Sequence, residues 1–161
     1  MERAFVIDYT KCTGCRRCEL ACSLYHFGEC NPRLSSIRVV CKEETKENFP
    51  VGCANCSSAI CMEVCPVQAI RLDATTGAVL IDGKRCIGCK TCIIYCPFGT
   101  VGFNPLTGVS FKCDLCQGNP FCIQFCPSNA IRYLPLDEIL EAKNRRWVDQ
   151  VIRATSDEAN T

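Results

Sequence analysis

Apolar residues occur in short runs separated by polar turns, and only the last segment of the chain repeats at a helical period. Alternating and β-branched runs predict strands at 4–8, 37–41, 69–72, 78–82, 101–103, 109–112 and 130–134. Ala69-Ile70-Arg71-Leu72 and Ala78-Val79-Leu80-Ile81 flank Asp73-Ala74-Thr75-Thr76-Gly77, which reads as a β-hairpin. Elsewhere only one-turn helices are expected, each begun at a Cys-x3-Cys pair. Residues 23–52 hold one expected strand and the charged run Lys42-Glu43-Glu44-Thr45-Lys46-Glu47, a solvated loop by its composition. The tail differs: Leu136, Ile139, Leu140, Trp147, Val148, Val151 and Ile152 recur near helical spacing, with Glu138, Glu141, Arg145 and Arg146 between them. This predicts an amphipathic helix over 136–153 and a frayed polar end from Ser156 to Thr161. Such a helix suits packing on its own chain or docking to a partner through Trp147, the only tryptophan.

Composition changes that picture, because 18 of 161 residues are cysteine. Removing them from the 48% hydrophobic fraction leaves few conventional apolar residues for a domain of this length, so disulfides or metal must replace part of the core. Met1-Glu2-Arg3-Ala4-Phe5-Val6-Ile7-Asp8 lacks the basic, apolar and small-residue pattern of a secretory signal, and no run reaches membrane-span length. A cytoplasmic setting is therefore expected, where clustered cysteines mean metal. The formal charge of +1 and the lack of a long basic run argue against a nucleic-acid partner.

Sixteen cysteines fall into four blocks. They are Cys12-x2-Cys15-x2-Cys18-x3-Cys22, Cys53-x2-Cys56-x4-Cys61-x3-Cys65-Pro66, Cys86-x2-Cys89-x2-Cys92-x3-Cys96-Pro97 and Cys113-x2-Cys116-x5-Cys122-x3-Cys126-Pro127. Three closely spaced cysteines wrap one corner of a [4Fe-4S] cube while the fourth reaches a neighbouring cube, and the following proline turns the chain, as in the bacterial ferredoxin run. Zinc is the rival reading, since paired C-x2-C knuckles also build structural zinc sites with four cysteine ligands. Catalysis at a cluster is disfavoured, because every block offers a full set of four thiols and no nucleophile–base pair stands nearby. His26, the only histidine, reads as a surface or inter-strand hydrogen-bond partner, with tuning of a nearby cluster as the minority reading. Cys30 and Cys41 read as buried small hydrophobes or inert thiols.

The blocks repeat. Ile7-Asp8-x-x-Lys11-Cys12-x-Gly14-Cys15 matches Ile81-Asp82-x-x-Arg85-Cys86-x-Gly88-Cys89, and Cys65-Pro66-x-x-Ala69-Ile70-Arg71 matches Cys126-Pro127-x-x-Ala130-Ile131-Arg132. Residues 53–103 look like a bacterial two-cluster ferredoxin. Residues 4–22 with 113–134 carry the same flanks with the hairpin turn replaced by the chain ends, an outer unit circularly permuted around the inner one. The expected architecture is α+β: a four-cluster domain over 1–135 with little regular structure, then the tail over 136–161. The repeat predicts crossed ligand sets: Cys12, Cys15, Cys18 with Cys126; Cys113, Cys116, Cys122 with Cys22; Cys53, Cys56, Cys61 with Cys96; Cys86, Cys89, Cys92 with Cys65. Pairing in sequence order would leave the flanking strands without consistent partners.

Four ordered blocks over about residues 4–134 resemble the iron–sulfur subunits of multisubunit molybdenum, tungsten and nickel oxidoreductases. The stretch Cys12-Thr-Gly-Cys15-Arg-Arg-Cys18-Glu-Leu-Ala-Cys22-Ser-Leu-Tyr-His26, followed by Asn31-Pro32-x-Leu34-Ser35-x-Ile37-Arg38-Val39, is similar to small partners of tungsten aldehyde oxidoreductases and carbon monoxide dehydrogenases. The resemblance implies a non-catalytic electron-transfer subunit with four [4Fe-4S] clusters on all sixteen block cysteines. It implies a large catalytic partner, a tungsten or molybdenum pterin enzyme of the aldehyde oxidoreductase class being favoured, and leaves room for a further electron-transfer or flavin subunit. The alternatives are a free polyferredoxin carrier and the relay partner of a carbon monoxide dehydrogenase or hydrogenase. One departure is Ser23 in place of proline after Cys22, from which a less constrained chain exit is expected.

Overall fold

A computed structural model describes residues 3–158, leaving the side chains of Val151 and of residues 153–158 undescribed. In chain order the elements are β1 (Arg3–Ile7), α1 (Arg17–Phe27), β2 (Ile37–Lys42), β3 (Glu47–Gly52), α2 (Ile60–Glu63), β4 (Ile70–Leu72), β5 (Val79–Ile81), α3 (Thr91–Ile94), β6 (Gly102–Asn104), β7 (Val109–Phe111), α4 (Phe121–Gln124), β8 (Ile131–Pro135) and α5 (Leu136–Glu158). The described residues form two compact units, one of residues 7–132 and one of 3–6 with 133–158.

Among the described residues, four two-stranded sheets pair β1 with β8, β2 with β3, β4 with β5 and β6 with β7. β4 and β5 run antiparallel with Ile70 opposite Ile81, around the turn that starts at Asp73. The Asp82 N–H donates to the Ala69 carbonyl at 2.7 Å, and the Asp8 N–H donates to the Ala130 carbonyl at 2.8 Å. The same residue types thus make the same bond at the end of β5 and at the end of β1.

The interval 23–52 holds two strands where one was expected. β2 and β3 form an antiparallel hairpin with Ile37 opposite Gly52 and Lys42 opposite Glu47. The charged run supplies its exposed turn, with Lys46 at φ +55°. Pro50 hid β3 from sequence reading, because proline removes a ladder donor. Here it takes away no ladder bond. Pro50 faces Val39, whose N–H turns away from β3 to Glu19 Oε1 at 2.5 Å. Glu19 is only 4% exposed, so this bond both satisfies a buried carboxylate oxygen and ties the hairpin to α1.

The helices show what proline decides. α2, α3 and α4 are the single turns expected, each ending just before a Cys-Pro pair. α1 instead runs through Cys22 for 11 residues and stops at Gly28, which adopts φ +73° and donates its N–H to the Leu24 carbonyl. Ser23 keeps the N–H that proline lacks, so the helix continues. Its buried hydroxyl donates to the Leu20 carbonyl at 3.1 Å and accepts the Asn31 N–H at 3.0 Å. The exit after Cys22 is therefore helical and anchored, correcting the looser exit expected.

The apolar core is small. One cluster of buried residues comprises Ala59, Cys61, Ile70, Val79, Cys92 and Val101, with Cys65 and Cys96 packed against it. Two of those six are block cysteines, so core and thiol sites share the same space. In the other unit, α5 continues to Glu158, beyond the predicted end at 153 and through Ser156, where fraying was expected; residues 159–161 lie outside the described residues. Asp137 and Glu138 occupy its first turn, where carboxylates complement the helix dipole, and Arg145 pairs with Glu141 one turn apart at 3.5 Å. Trp147 is 65% exposed.

Candidate metal centres

The four cysteine blocks share a backbone device. The residue before the second cysteine is left-handed in each: Gly14 at φ +71°, Asn55 at +46°, Gly88 at +68° and Leu115 at +58°. Glycine takes this conformation freely, whereas Asn55 and Leu115 hold it at a steric cost. At Gly88 a Cβ would run into the Gly108 carbonyl oxygen, so no other residue fits there without rearrangement. A second device follows the fourth cysteine: Gln68, Gly99 and Asn129, three residues after Cys65, Cys96 and Cys126, are left-handed at +50°, +60° and +52°. Both turns aim backbone N–H groups inwards.

The thiols gather across blocks. Cys53, Cys56, Cys61 and Cys96 line one small cavity, together with Asn55, Val79 and Lys112. Cys65, Cys86, Cys89 and Cys92 line another, together with Ile70, Ile81 and Ser110. Each cavity takes three cysteines from one block and the fourth from the other. Among the remaining eight, burial pushes the Cys122 thiol up, and Cys113, Cys22, Cys116 and Cys18 add to the shift through their charge. Burial likewise pushes Cys18 up to about 12, with Glu19, Cys126 and Cys15 adding to it. Charge influences of this kind also run between the sets: Cys92 raises Cys61, Cys53 raises Cys113, and Cys18 raises Cys122.

Hydrogen bonds to sulfur follow the turns. Cys65 Sγ accepts the Ala69 N–H at 3.3 Å, Cys53 Sγ the Asn55 N–H at 3.5 Å and Cys116 Sγ the Phe121 N–H at 3.5 Å. Cys22 has no proline turn behind it, and its Sγ accepts instead the Ser36 N–H at 3.4 Å. These bonds compete with burial. At Cys96 burial raises the thiol, yet the N–H groups and hydroxyl of the following turn, chiefly at Thr100, bring it below its usual value. Cys126 behaves alike, with Ile131, Ser128 and Ala130 outweighing burial. Burial prevails at Cys113 and Cys116, pushed up to about 12 and about 11. It also raises Cys61 and Cys92.

The remaining candidates depart from expectation. His26 is not an inter-strand partner. Its Nε2 lies 3.6 Å from Cys116 Sγ and 3.4 Å from Asp114 Oδ1. Cys30 and Cys41 are both exposed, which corrects their reading as buried hydrophobes. Sequence reading did not single out Lys112, a buried residue whose Nζ donates to Asn55 Oδ1, to the Val79 carbonyl and to the Cys113 carbonyl.

The spacing of the thiols bears on the zinc reading. Sulfurs bound to one tetrahedral zinc at about 2.3 Å stand about 4 Å apart. Among the described residues, the one group of three possible ligand atoms within 4.8 Å of one another is His26, Asp114 and Cys116, and no three cysteine sulfurs meet that limit. Asn55 Nδ2, in the first cavity, is buried without a protein partner, and the buried Ser110 hydroxyl, in the second, bears on the Cys92 thiol and holds it down; donors of that kind suit the sulfurs of an iron–sulfur group.

Residues 45–136 match the family described as "4Fe-4S dicluster domain", and residues 5–23 match "4Fe-4S binding domain". The chain belongs to the 4Fe-4S dicluster family. It is a ferredoxin-type electron-transfer protein that binds several [4Fe-4S] clusters. A relative from Pyrococcus furiosus, "Aliphatic sulfonate oxidoreductase, polyferredoxin-like subunit", is 40% identical over 120 residues, covering 74% of this chain and 69% of the relative. The "Thiosulfate reductase electron transfer subunit PhsB" of Salmonella typhi is 33% identical over 156 residues, covering 89% and 79%. Among solved structures, "Active site complex BamBC of Benzoyl Coenzyme A reductase as isolated" aligns over 96% of both chains at 22% identity with a TM-score of 0.49. No helix among the described residues is long and apolar enough to cross a membrane.

Proposed function

We propose that this 4Fe-4S dicluster protein is a non-catalytic subunit that relays single electrons, through four [4Fe-4S] centres, to or from a large oxidoreductase subunit. The ligand sets are Cys12, Cys15, Cys18 and Cys126; Cys113, Cys116, Cys122 and Cys22; Cys53, Cys56, Cys61 and Cys96; and Cys86, Cys89, Cys92 and Cys65. The carrying observation is the pair of cavities in which three thiols of one block meet the fourth of another. When bound, each cube supplies a one-electron redox centre whose potential depends on burial, local charge and hydrogen bonds to sulfur. The chain does the rest. Its left-handed turns aim N–H groups at the sulfurs, its buried thiols exclude water, and its loops keep neighbouring sets adjacent.

Two pseudo-symmetric ferredoxin units, the outer circularly permuted around the inner, explain why Asp8 and Asp82 make matching bonds to Ala130 and Ala69. The partner is a tungsten or molybdenum pterin enzyme of the aldehyde oxidoreductase class. Supporting this are the Cys12-to-His26 and Asn31-to-Val39 stretches, and a relative named as a subunit of an oxidoreductase. A cytoplasmic setting follows from the reduced thiols such centres need. Anaerobic purification of the native complex tests the reading. About sixteen irons and sixteen sulfides per chain are expected, with a large pterin subunit copurifying. About eight of each, or zinc in their place, would contradict the four-centre assignment.

A further inference from the structure

Lys112 is 8% exposed and follows β7 directly, one residue before Cys113. Its Nζ donates to Asn55 Oδ1 at 2.9 Å, to the Val79 carbonyl oxygen and to the Cys113 carbonyl oxygen at 3.2 Å. Three neutral oxygens meet three N–H groups, so the hydrogen bonding of an ammonium is complete. Its charge is not balanced. Among the described residues no carboxylate forms an ion pair with Lys112. A buried charge without an opposite partner is costly, and a fold keeps one where something else provides the counter-charge.

What lies beside it are thiols. Lys112 lines the cavity shared by Cys53, Cys56, Cys61 and Cys96, and its carbonyl acceptor on Cys113 belongs to the next set. We propose that Lys112 is the fixed counter-charge of the centre held by Cys53, Cys56, Cys61 and Cys96, and that it raises the reduction potential of that centre. The inference rests on the ligand sets proposed above. Reduction adds a negative charge, so a cation nearby favours the reduced form, and a low local dielectric enlarges the effect.

The cavity of Cys65, Cys86, Cys89 and Cys92 also has a lysine on its wall, Lys90. Lys90 is exposed and rests over the Phe103 ring at 4.3 Å, so solvent screens it. Two centres with equivalent thiols are thereby made unequal, and the electron's preferred resting place falls on the one adjoining the outer half. Lys112 also acts as a positioning residue. Together with the Val79 N–H at 3.0 Å it holds Asn55 Oδ1, which turns the unpartnered Asn55 Nδ2 the other way.

The test uses the full chain, loaded anaerobically, as wild type, K112Q and K112R. Iron content is measured alongside potentiometric titration of each centre by paramagnetic resonance. In K112Q, which keeps donors but loses charge, one centre should show at least a tenfold lower reduced-to-oxidised ratio at fixed potential, about 59 mV for a one-electron couple. K112R should leave it near the wild-type value, and the affected signal should be the one altered by C61S. Loss of one centre's iron in K112Q but not in K112R would equally support the counter-charge role. Full iron in K112Q with no potential moved, or the same loss in both variants, would overturn it. Fewer than four centres in the wild type would overturn the ligand assignment itself, a different failure with a different readout.

Discussion

The first cysteine block and the other three present the same number of thiols and leave them by different routes. After Cys65, Cys96 and Cys126, proline ends a one-turn helix, and a left-handed residue bends the following N–H groups back towards the sulfur. After Cys22, Ser23 lets α1 continue to Phe27, so that turn never forms. The missing donor comes from far along the chain, as the Ser36 N–H on Cys22 Sγ. Cysteine spacing therefore sets where ligands fall, while the residue after the last ligand decides which element surrounds them. The β2–β3 hairpin, latched through Glu19, occupies the interval that provides this substitute.

The largest effect expected bears on what both kinds of block share. If iron–sulfur groups fill the space between the thiols, anaerobic chelation of iron should abolish the cooperative fold of residues 7–132, because the apolar cluster alone is small. Near-ultraviolet circular dichroism would report it, and retention of native tertiary signal after complete iron loss would break the comparison at its root.

Proline substitution probes the difference directly. S23P should cost about 3 kcal/mol or more, since it places proline inside α1 and removes the hydroxyl that holds Asn31. P97S should cost less than about 1 kcal/mol, because it mainly loosens the unfolded chain. Thermal unfolding of the loaded proteins measures both; equal losses would mean the two exits are not distinct.

E19A should cost about 1–3 kcal/mol by leaving the Val39 N–H buried and unpaired, whereas E19Q retains an acceptor and most of the stability. Hydrogen exchange at Val39 would show whether the latch opens. The smallest effect concerns loading. Iron takes thiolates, and burial raises Cys18, Cys113 and Cys116 while turn N–H groups lower Cys96 and Cys126. Raising pH increases the thiolate fraction of a raised thiol, so reconstitution should speed up from about pH 7 to about pH 9. The sets containing Cys113 and Cys18 should lag behind the others at the lower pH, as followed by visible absorbance.

Much of this was legible in the sequence. Strands at the repeated Ala-Ile-Arg and Ile-Asp motifs fell within a residue or so of their observed bounds, because hydrophobic alternation and turn residues act locally. β3 was not legible, since Pro50 is harmless only when Val39 opposite turns its N–H to Glu19, a long-range fact. The left-handed turns were visible at Gly14 and Gly88 but hidden at Asn55 and Leu115, where the same backbone is imposed on ordinary residues. Lys112 escaped notice because a lysine between a strand and a cysteine reads as a solvated charge. Only packing reveals it as buried.

The central claim is that each centre takes its thiols from two blocks. An anaerobic crystal structure of the loaded protein, with iron located by anomalous scattering, tests it most directly. The account predicts Cys96 Sγ on the cube held by Cys53, Cys56 and Cys61, and Cys65 Sγ on the cube held by Cys86, Cys89 and Cys92. All four cysteines of a single block on one cube would contradict it.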